Sequence, residues 1–296
     1  MTNPATVAVV GTGRMGSAIA GTLSRAGFPI VLYNRTRPTA ETVAQSTGGR
    51  VTGSPREAAA GANVVLSSLA DDAAVMAAYS GSDGIAAGLR EGAVAVDAST
   101  IDPATIRLIR PLVEARGASL LDAPVSGSVA LVEQGKLTIM VGGEKAAFEV
   151  ARPIFDALAA RTFHLGDLGA GATVKLAVNA LVHAINTALS EALVLAEKAG
   201  VDRALVYEVF MASGGCPIRS LQGERLPAPR VFPGCIQPGS GRQGSRLDTR
   251  PRRSSGSADE TGFCQSGGGR RCHRCRTRRS RYERSSRSPA VIAFLL

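Results

Sequence analysis

The chain has 296 residues, 45% of them hydrophobic, with a formal net charge of +10. That length allows two domains and an apolar fraction large enough for a core, which excludes a wholly disordered chain. No uninterrupted apolar run reaches the ~18 residues of a membrane span, and no basic segment followed by an apolar run opens the chain, so a cytoplasmic protein is expected.

The charge is unevenly placed. Residues 1–234 hold 20 Lys and Arg against 20 Asp and Glu, whereas residues 235–296 hold 14 Arg, no Lys and 4 acidic residues. The five cysteines, Cys216, Cys235, Cys264, Cys272 and Cys275, all lie beyond residue 215. The average over the chain therefore conceals two unlike parts.

In chain order, Val7-Ala8-Val9-Val10 is a short apolar run that predicts a buried parallel strand. Gly11-Thr12-Gly13-Arg14-Met15-Gly16 follows at once, and Ser17 to Leu23 has helical spacing. A G-x-G-x-x-G turn between a strand and a helix is a dinucleotide-binding pattern. Gly11 permits the tight turn, Gly13 lets backbone approach a pyrophosphate, and Gly16 lets the helix lie close to the strand. The phosphates then meet the helix N-terminus, where free N–H groups favour an anion.

Ile30 to Tyr33 predicts the second strand, which ends at Asn34-Arg35-Thr36. An NAD site usually places a carboxylate there for the ribose 2′-hydroxyl. Here Asn34 stands at that position, and Arg35 and Arg37 can pair with a 2′-phosphate. NADP(H) is therefore the preferred cofactor, with NAD(H) accommodated.

Further strands are predicted at 63–67, 93–97, 118–122 and 136–141, and helices beginning at Asp71, over Pro103 to Glu114 and over Ala146 to Ala160. This alternation predicts an α/β fold with a Rossmann-type doubly wound parallel sheet, whose ligands bind at the carboxyl ends of the strands. After His164 the strands are expected to stop. A helix of about thirty residues follows Gly169-Ala170-Gly171 and ends near Gly200, and one more helix covers Val201 to Met211. The expected organisation is a dinucleotide-binding domain over 1–164, a partial all-α domain over 165–234 and an Arg/Ser/Gly-rich tail over 235–296.

Lys175 and Asn179 are four residues apart in the long helix and share one face. A lysine desolvated beside a bound cofactor can transfer protons near neutral pH.

Four segments in this order resemble the β-hydroxyacid dehydrogenase family, which includes 3-hydroxyisobutyrate dehydrogenase, tartronate semialdehyde reductase and, more distantly, 6-phosphogluconate dehydrogenase. They are the glycine turn, Asp97-Ala98-Ser99-Thr100, Asp122-Ala123-Pro124-Val125-Ser126-Gly127-Ser128, and Gly169-Ala170-Gly171 through Lys175 to Asn179. The resemblance covers residues 5 to 234. It implies Lys175 as general acid/base, Ser126, Gly127 and Ser128 at the substrate carboxylate, and Asn179 orienting the substrate. Leu69, with its neighbour Ala70, and Thr100 then contact the dinucleotide. Ser128 replaces the family's usual glycine and Ala180 a frequent second asparagine, which bears on the substrate more than on the reaction. The implied reaction moves a hydride between the nicotinamide and a small hydroxy acid or semialdehyde, in a homo-oligomer. Imine reduction on the same scaffold is the alternative, and Lys175 speaks for carbonyl chemistry.

Beyond residue 234 the pattern stops. Arg250 to Arg253, Arg270-Arg271 and Arg276 to Arg281 lie among Ser and Gly, a composition expected to be disordered. Cys272-His273-Arg274-Cys275 has no second ligand pair, so no metal is expected. The clustered Arg lacks interleaved aromatics, which argues against nucleic-acid binding. A reading-frame shift explains the tail best. Codons for Gly234 to Asp248 read one base later can encode Gly-Ala-Phe-Ser-Leu-Asp-Leu-Ala-Gly-Lys-Asp-Leu-Asp-Leu, similar to the family's segment after the long helix. The expected homo-oligomer is in doubt with such a C-terminus.

Overall fold

Strand β1 (Val7–Val10) is buried at every position, as a central parallel strand must be. In the computed structural model, which describes residues 5–213, strands and helices alternate, and the expected elements are joined by others at 37–47, 50–51, 55–60 and 85–88 that the sequence did not single out. Helix α1 (Arg14–Arg25) leads to β2 (Ile30–Tyr33), α2 (Arg37–Thr47), β3 (Arg50–Val51) and α3 (Pro55–Ala60). Then come β4 (Val64–Ser67), α4 (Asp72–Tyr79), α5 (Ile85–Gly88), β5 (Val94–Asp97), α6 (Pro103–Glu114) and β6 (Ser119–Asp122). These six strands form one parallel sheet in the order β3-β2-β1-β4-β5-β6. Strand order reverses between β1 and β4, and such a switch opens a crevice at the carboxyl ends of the strands.

The two-residue period of β1 divides the core between the two faces of the sheet. Val7 and Val9 pack with Ile19, Leu23, Phe148 and Phe155 on one face. Ala8 and Val10 pack with Tyr79, Ile85, Ile106 and Ile109 on the other. Local capping fixes the helix starts. Asp71 accepts from the amide of Ala74 at 2.8 Å, Asp102 from that of Ala104 at 2.7 Å, and Ser54 from that of Glu57 at 3.1 Å. Pro103 opens α6, where its missing N–H costs nothing.

The strand expected at 136–141 is present but lies outside the main sheet. After β6 come β7 (Val125–Ser126), α7 (Val129–Glu133), β8 (Leu137–Val141), α8 (Lys145–Leu158) and β9 (Ala159–His164). Strands β7, β8 and β9 make a separate three-stranded sheet, with β7 antiparallel and β9 parallel to β8. The chain reverses after β6, so β8 returns antiparallel to its end through the Asp122–Gly142 bridge. The expected helix over Ala146 to Ala160 ends at Leu158, and β9 takes over from Ala159. Its Ala-Ala-Arg-Thr-Phe-His sequence is mostly exposed and carries no apolar alternation to announce a strand.

Helix α9 (Ala170–Lys198) has 29 residues, and α10 (Arg203–Ala212) follows a turn at Gly200 with φ +85°. The chain divides between Leu189 and Ser190 into two compact units, a division that falls inside α9. Among the described residues the second unit holds the end of α9 and α10, which is capped by Asp202 accepting from the amide of Leu205 at 3.0 Å. By length and composition alone, α9 is long and apolar enough to cross a membrane, with mean hydropathy 1.4 in its most apolar window. Lys175, Asn179 and Glu191 interrupt it. The tail expected at 235–296, its Cys272/Cys275 pair and the outer part of the expected 165–234 domain lie outside the described residues.

Candidate active site

The glycine turn joins β1 to α1 at the switch point. Gly11 has φ +94°, and a Cβ there would strike the carbonyl oxygen of Ser68. A Cβ on Gly16 would strike the carbonyl oxygen of Gly11. Gly13 differs, because its Cβ would meet nothing within 4 Å. Two glycines are thus required by packing, and the middle one leaves open space beside backbone. Gly13 also has no side chain to cap α1, leaving first-turn N–H groups for an anion. Thr12 is 1% exposed, and its Oγ1 is the buried side-chain polar atom without a partner among the described residues. The open space beside the backbone at Gly13 fits the close approach of a bound pyrophosphate.

Asn34 ties this turn to the end of β2. The Thr12 amide donates to Asn34 Oδ1 at 3.0 Å, and Asn34 Nδ2 donates to the Thr36 carbonyl at 3.0 Å. Both ends of its amide are therefore used inside the protein. Arg35 beside it is exposed.

A cleft of about 530 Å³ brings together Gly11, Gly13, Asn34, Arg35, Thr36, Leu69 and Ala70. Tyr33, Ser68 and Asp71 also line it. Sequence reasoning passed over these three, although they end or follow β2 and β4, where a doubly wound sheet places ligands. The other expected cofactor residues are not part of the lining. Thr12 is buried behind the turn, Arg14 is exposed at the start of α1, Met15 packs on the core, Gly16 is buried and Thr100 is half-buried after β5. A wider hollow of about 680 Å³, lined by Arg107, Arg110, Lys145 and His164 together with Glu144 and Asp167, contains none of the expected residues.

The expected substrate and proton-transfer residues stand on other elements. Ser126 ends β7, Gly127 is exposed with φ +140°, and Ser128 precedes α7. Lys175 and Asn179 are half-buried one turn apart on α9. None of these five lines the 530 Å³ cleft.

What fixes the start of α9 is a residue whose role the sequence left unassigned. Asp122 is 1% exposed at the end of β6. Its Oδ1 accepts from the amide of Gly169 at 2.7 Å and its Oδ2 from that of Ala172 at 2.6 Å. Its backbone exchanges hydrogen bonds with Gly142 at 2.8 and 3.1 Å. A Cβ on Gly171 would crowd the Met140 and Asp122 carbonyls, so only glycine lets the helix approach this closely. The carboxylate thereby satisfies orphan N–H groups at the helix N-terminus, where negative charge is favoured. Burial nevertheless raises the Asp122 pKa, opposed by these donors. Lys175 follows Ala172 within one turn, and desolvation lowers its pKa from the usual 10.5.

The chain matches two family models, the NAD binding domain of 6-phosphogluconate dehydrogenase over residues 6–166 and the NAD-binding domain of NADP-dependent 3-hydroxyisobutyrate dehydrogenase over residues 169–239. It is 34% identical over 209 residues to an NAD-dependent L-serine dehydrogenase of Pseudomonas aeruginosa, covering 71% of this chain and 70% of that protein. It is 32% identical over 231 residues to glyoxylate/succinic semialdehyde reductase 2 of Arabidopsis thaliana, covering 77% of this chain and 64% of that protein. The chain thus spans roughly two-thirds of the length of such relatives. Among solved structures, a Mycobacterium tuberculosis 3-hydroxyisobutyrate dehydrogenase with L-serine superposes with TM-score 0.65 at 33% identity, over 72% of each chain. Fold, glycine turn and relatives agree: the chain belongs to the β-hydroxyacid dehydrogenase family of NAD(P)-dependent oxidoreductases.

Proposed function

We propose that the protein binds NADP(H) in the cleft at the β1/β4 switch point and interconverts a small hydroxy acid and its semialdehyde. The observation that carries the cofactor reading is the end of β2. Asn34 uses both ends of its amide on Thr12 and Thr36, the residues that follow it, Arg35, Thr36 and Arg37, include no carboxylate, and Arg35 is left exposed in the cleft lining. A 2′-phosphate would find a guanidinium there, and a bare 2′-hydroxyl would find no carboxylate acceptor at that position. Relatives are named for both cofactors: the Pseudomonas enzyme for NAD, the matched second-domain model for NADP.

A bound nicotinamide dinucleotide supplies or takes up the hydride. Lys175 donates a proton to the substrate oxygen in reduction and removes one in oxidation. Its desolvated position favours the neutral amine and so eases release of that proton. Ser126, Gly127 and Ser128 hold the carboxylate, and Asn179 orients the substrate. The substrate class rests on the relatives' names, which include L-serine, succinic semialdehyde and 3-hydroxyisobutyrate.

Titration of the chain with NADPH and with NADH tests the cofactor reading. NADPH is expected to bind more tightly, and Arg35→Asp to cost NADPH roughly tenfold or more in affinity while sparing NADH. Equal affinities for both cofactors in the unaltered chain would refute the preference.

A further inference from the structure

At the carboxyl end of β5, Asp97 is fully buried in a chain of hydroxyl groups. Its Oδ2 accepts from Ser67 Oγ of β4 at 2.5 Å and from Ser99 Oγ at 3.3 Å. Its Oδ1 accepts from the Ser99 amide at 3.0 Å. Ser99 Oγ in turn accepts from the amide of Leu69 at 3.0 Å, and Leu69 lines the dinucleotide cleft. On the far side, Tyr79 OH lies 3.0 Å from Ser67 Oγ. With Asp97 ionised, the hydroxyl protons have one order: Tyr79 donates to Ser67, Ser67 and Ser99 donate to Asp97, and Ser99 is left to accept from Leu69.

We infer that Asp97 is a positioning residue for the dinucleotide, acting through Ser99 to hold the Leu69 backbone at the cleft. The inference rests on the reading of that cleft as the NADP(H) site. A structural role alone explains the arrangement poorly. A buried carboxylate is costly where an apolar side chain would pack, and here it faces a second one, since β5 and β6 pair Asp97 directly with Asp122. Such expense at the carboxyl end of a central strand fits a functional site.

Burial, with a smaller contribution from the Asp122 charge, raises the Asp97 pKa to about 6. The titratable groups facing it are Tyr79 from α4 and Asp122 from β6. Tyr79 is pushed well above its usual range by burial and by Asp97, so it stays protonated. Protonation of Asp97 turns one of its acceptor oxygens into a donor, and Ser67 can then donate to the Val96 carbonyl at 3.4 Å instead. The fixed order is lost and the hold on Leu69 slackens. The sign for stability runs the other way. A folded pKa raised from 3.8 to about 6 contributes stability below the lower value that is lost as pH rises through the upper one. The ionised form therefore serves the cofactor while weakening the fold.

The test is a fluorescence titration of the full chain with NADPH across about pH 5 to 8, together with thermal unfolding. Asp97→Asn is expected to weaken NADPH binding on the order of five- to tenfold at pH 8 without lowering Tm. In the unaltered chain, affinity falls with an inflection near pH 6 as Asp97 protonates; in Asp97→Asn that inflection is missing. The 2′-phosphate of NADPH also titrates near pH 6, but identically for both proteins. Ser99→Ala, which keeps the Ser67–Asp97 bond, weakens NADPH binding by a similar factor and decides the matter if Asp97→Asn does not fold. Unchanged affinity in Ser99→Ala, or parallel pH profiles for Asp97→Asn and the unaltered chain, would overturn the inference while leaving the cleft assignment standing. No NADPH binding by the unaltered chain would overturn both.

Discussion

Asn34 and Arg35 are neighbours with separate tasks. Asn34 braces the glycine turn through the Thr12 amide, whereas Arg35 offers charge to the cleft. Gly11 is the least replaceable residue of that turn. Gly11→Ala requires a Cβ at φ +94° against the Ser68 carbonyl, and loss of measurable NADPH binding is expected in the same fluorescence titration. Lys175 is read as acting later, on substrate. Lys175→Ala in a catalytically competent, frame-restored protein is expected to lower kcat by about 10²–10⁴-fold with cofactor affinity intact. Near-full turnover would remove it from the acid/base role. Because desolvation lowers its pKa, reduction, which needs the protonated amine, is expected to decline with rising pH through a point below 10.5. The reverse oxidation rises over the same interval, and initial rates in both directions check the pair.

Helix α9 carries Lys175, and the start of that helix depends on a carboxylate 47 and 50 residues earlier in the chain. Asp122→Asn turns one acceptor into an NH₂ group facing a backbone N–H. The expected loss is about 1–3 kcal/mol of stability by denaturant unfolding. In a turnover assay kcat is expected to fall more than NADPH affinity, because the cleft lining lies on β1, β2, β4, their loops and helices α3 and α4, and not on α9. An equal loss in both would mean that Asp122 supports the whole unit rather than the helix. The elements themselves were largely legible: Pro103–Glu114 and Ala170–Lys198 announce themselves by proline, glycine and 3.6-residue spacing. β9 was not legible, since an exposed strand needs no apolar face and so writes no pattern.

For the whole molecule, the compact first unit runs to Leu189 and contains the cleft at the β1/β4 switch point, Asp122 and Lys175. Leu181 on α9 is 59% exposed in this unit. In the second unit, Leu195 is 74% and Leu205 55% exposed. Apolar faces of this kind are what further helices of a second domain would cover. We propose that a frame shift near residue 234 replaces the family-like segment with an Arg-rich one, and resequencing codons 225–296 tests it directly. With the frame restored, turnover of a semialdehyde with NADPH is expected; the present chain is expected to bind NADPH without comparable turnover. Equal turnover by both would show that residues 235–296 do not bear on activity.

The sequence by itself determined the parallel sheet, the glycine turn and the family, because each is a local pattern. A buried strand needs a continuous apolar run, a dinucleotide turn needs glycines at set spacing, and a long helix needs periodic apolar residues. Asp97 and Asp122 were visible as strand ends that open two family-like segments, with no role assigned to either carboxylate. Their partners Ser67, Gly169 and Ala172 lie 30 to 50 residues away. Only the tertiary structure decided that one carboxylate is linked through Ser99 to the Leu69 backbone and the other holds the start of α9, because a hydrogen bond is a matter of angstroms and spacing along a chain does not fix distance across a fold.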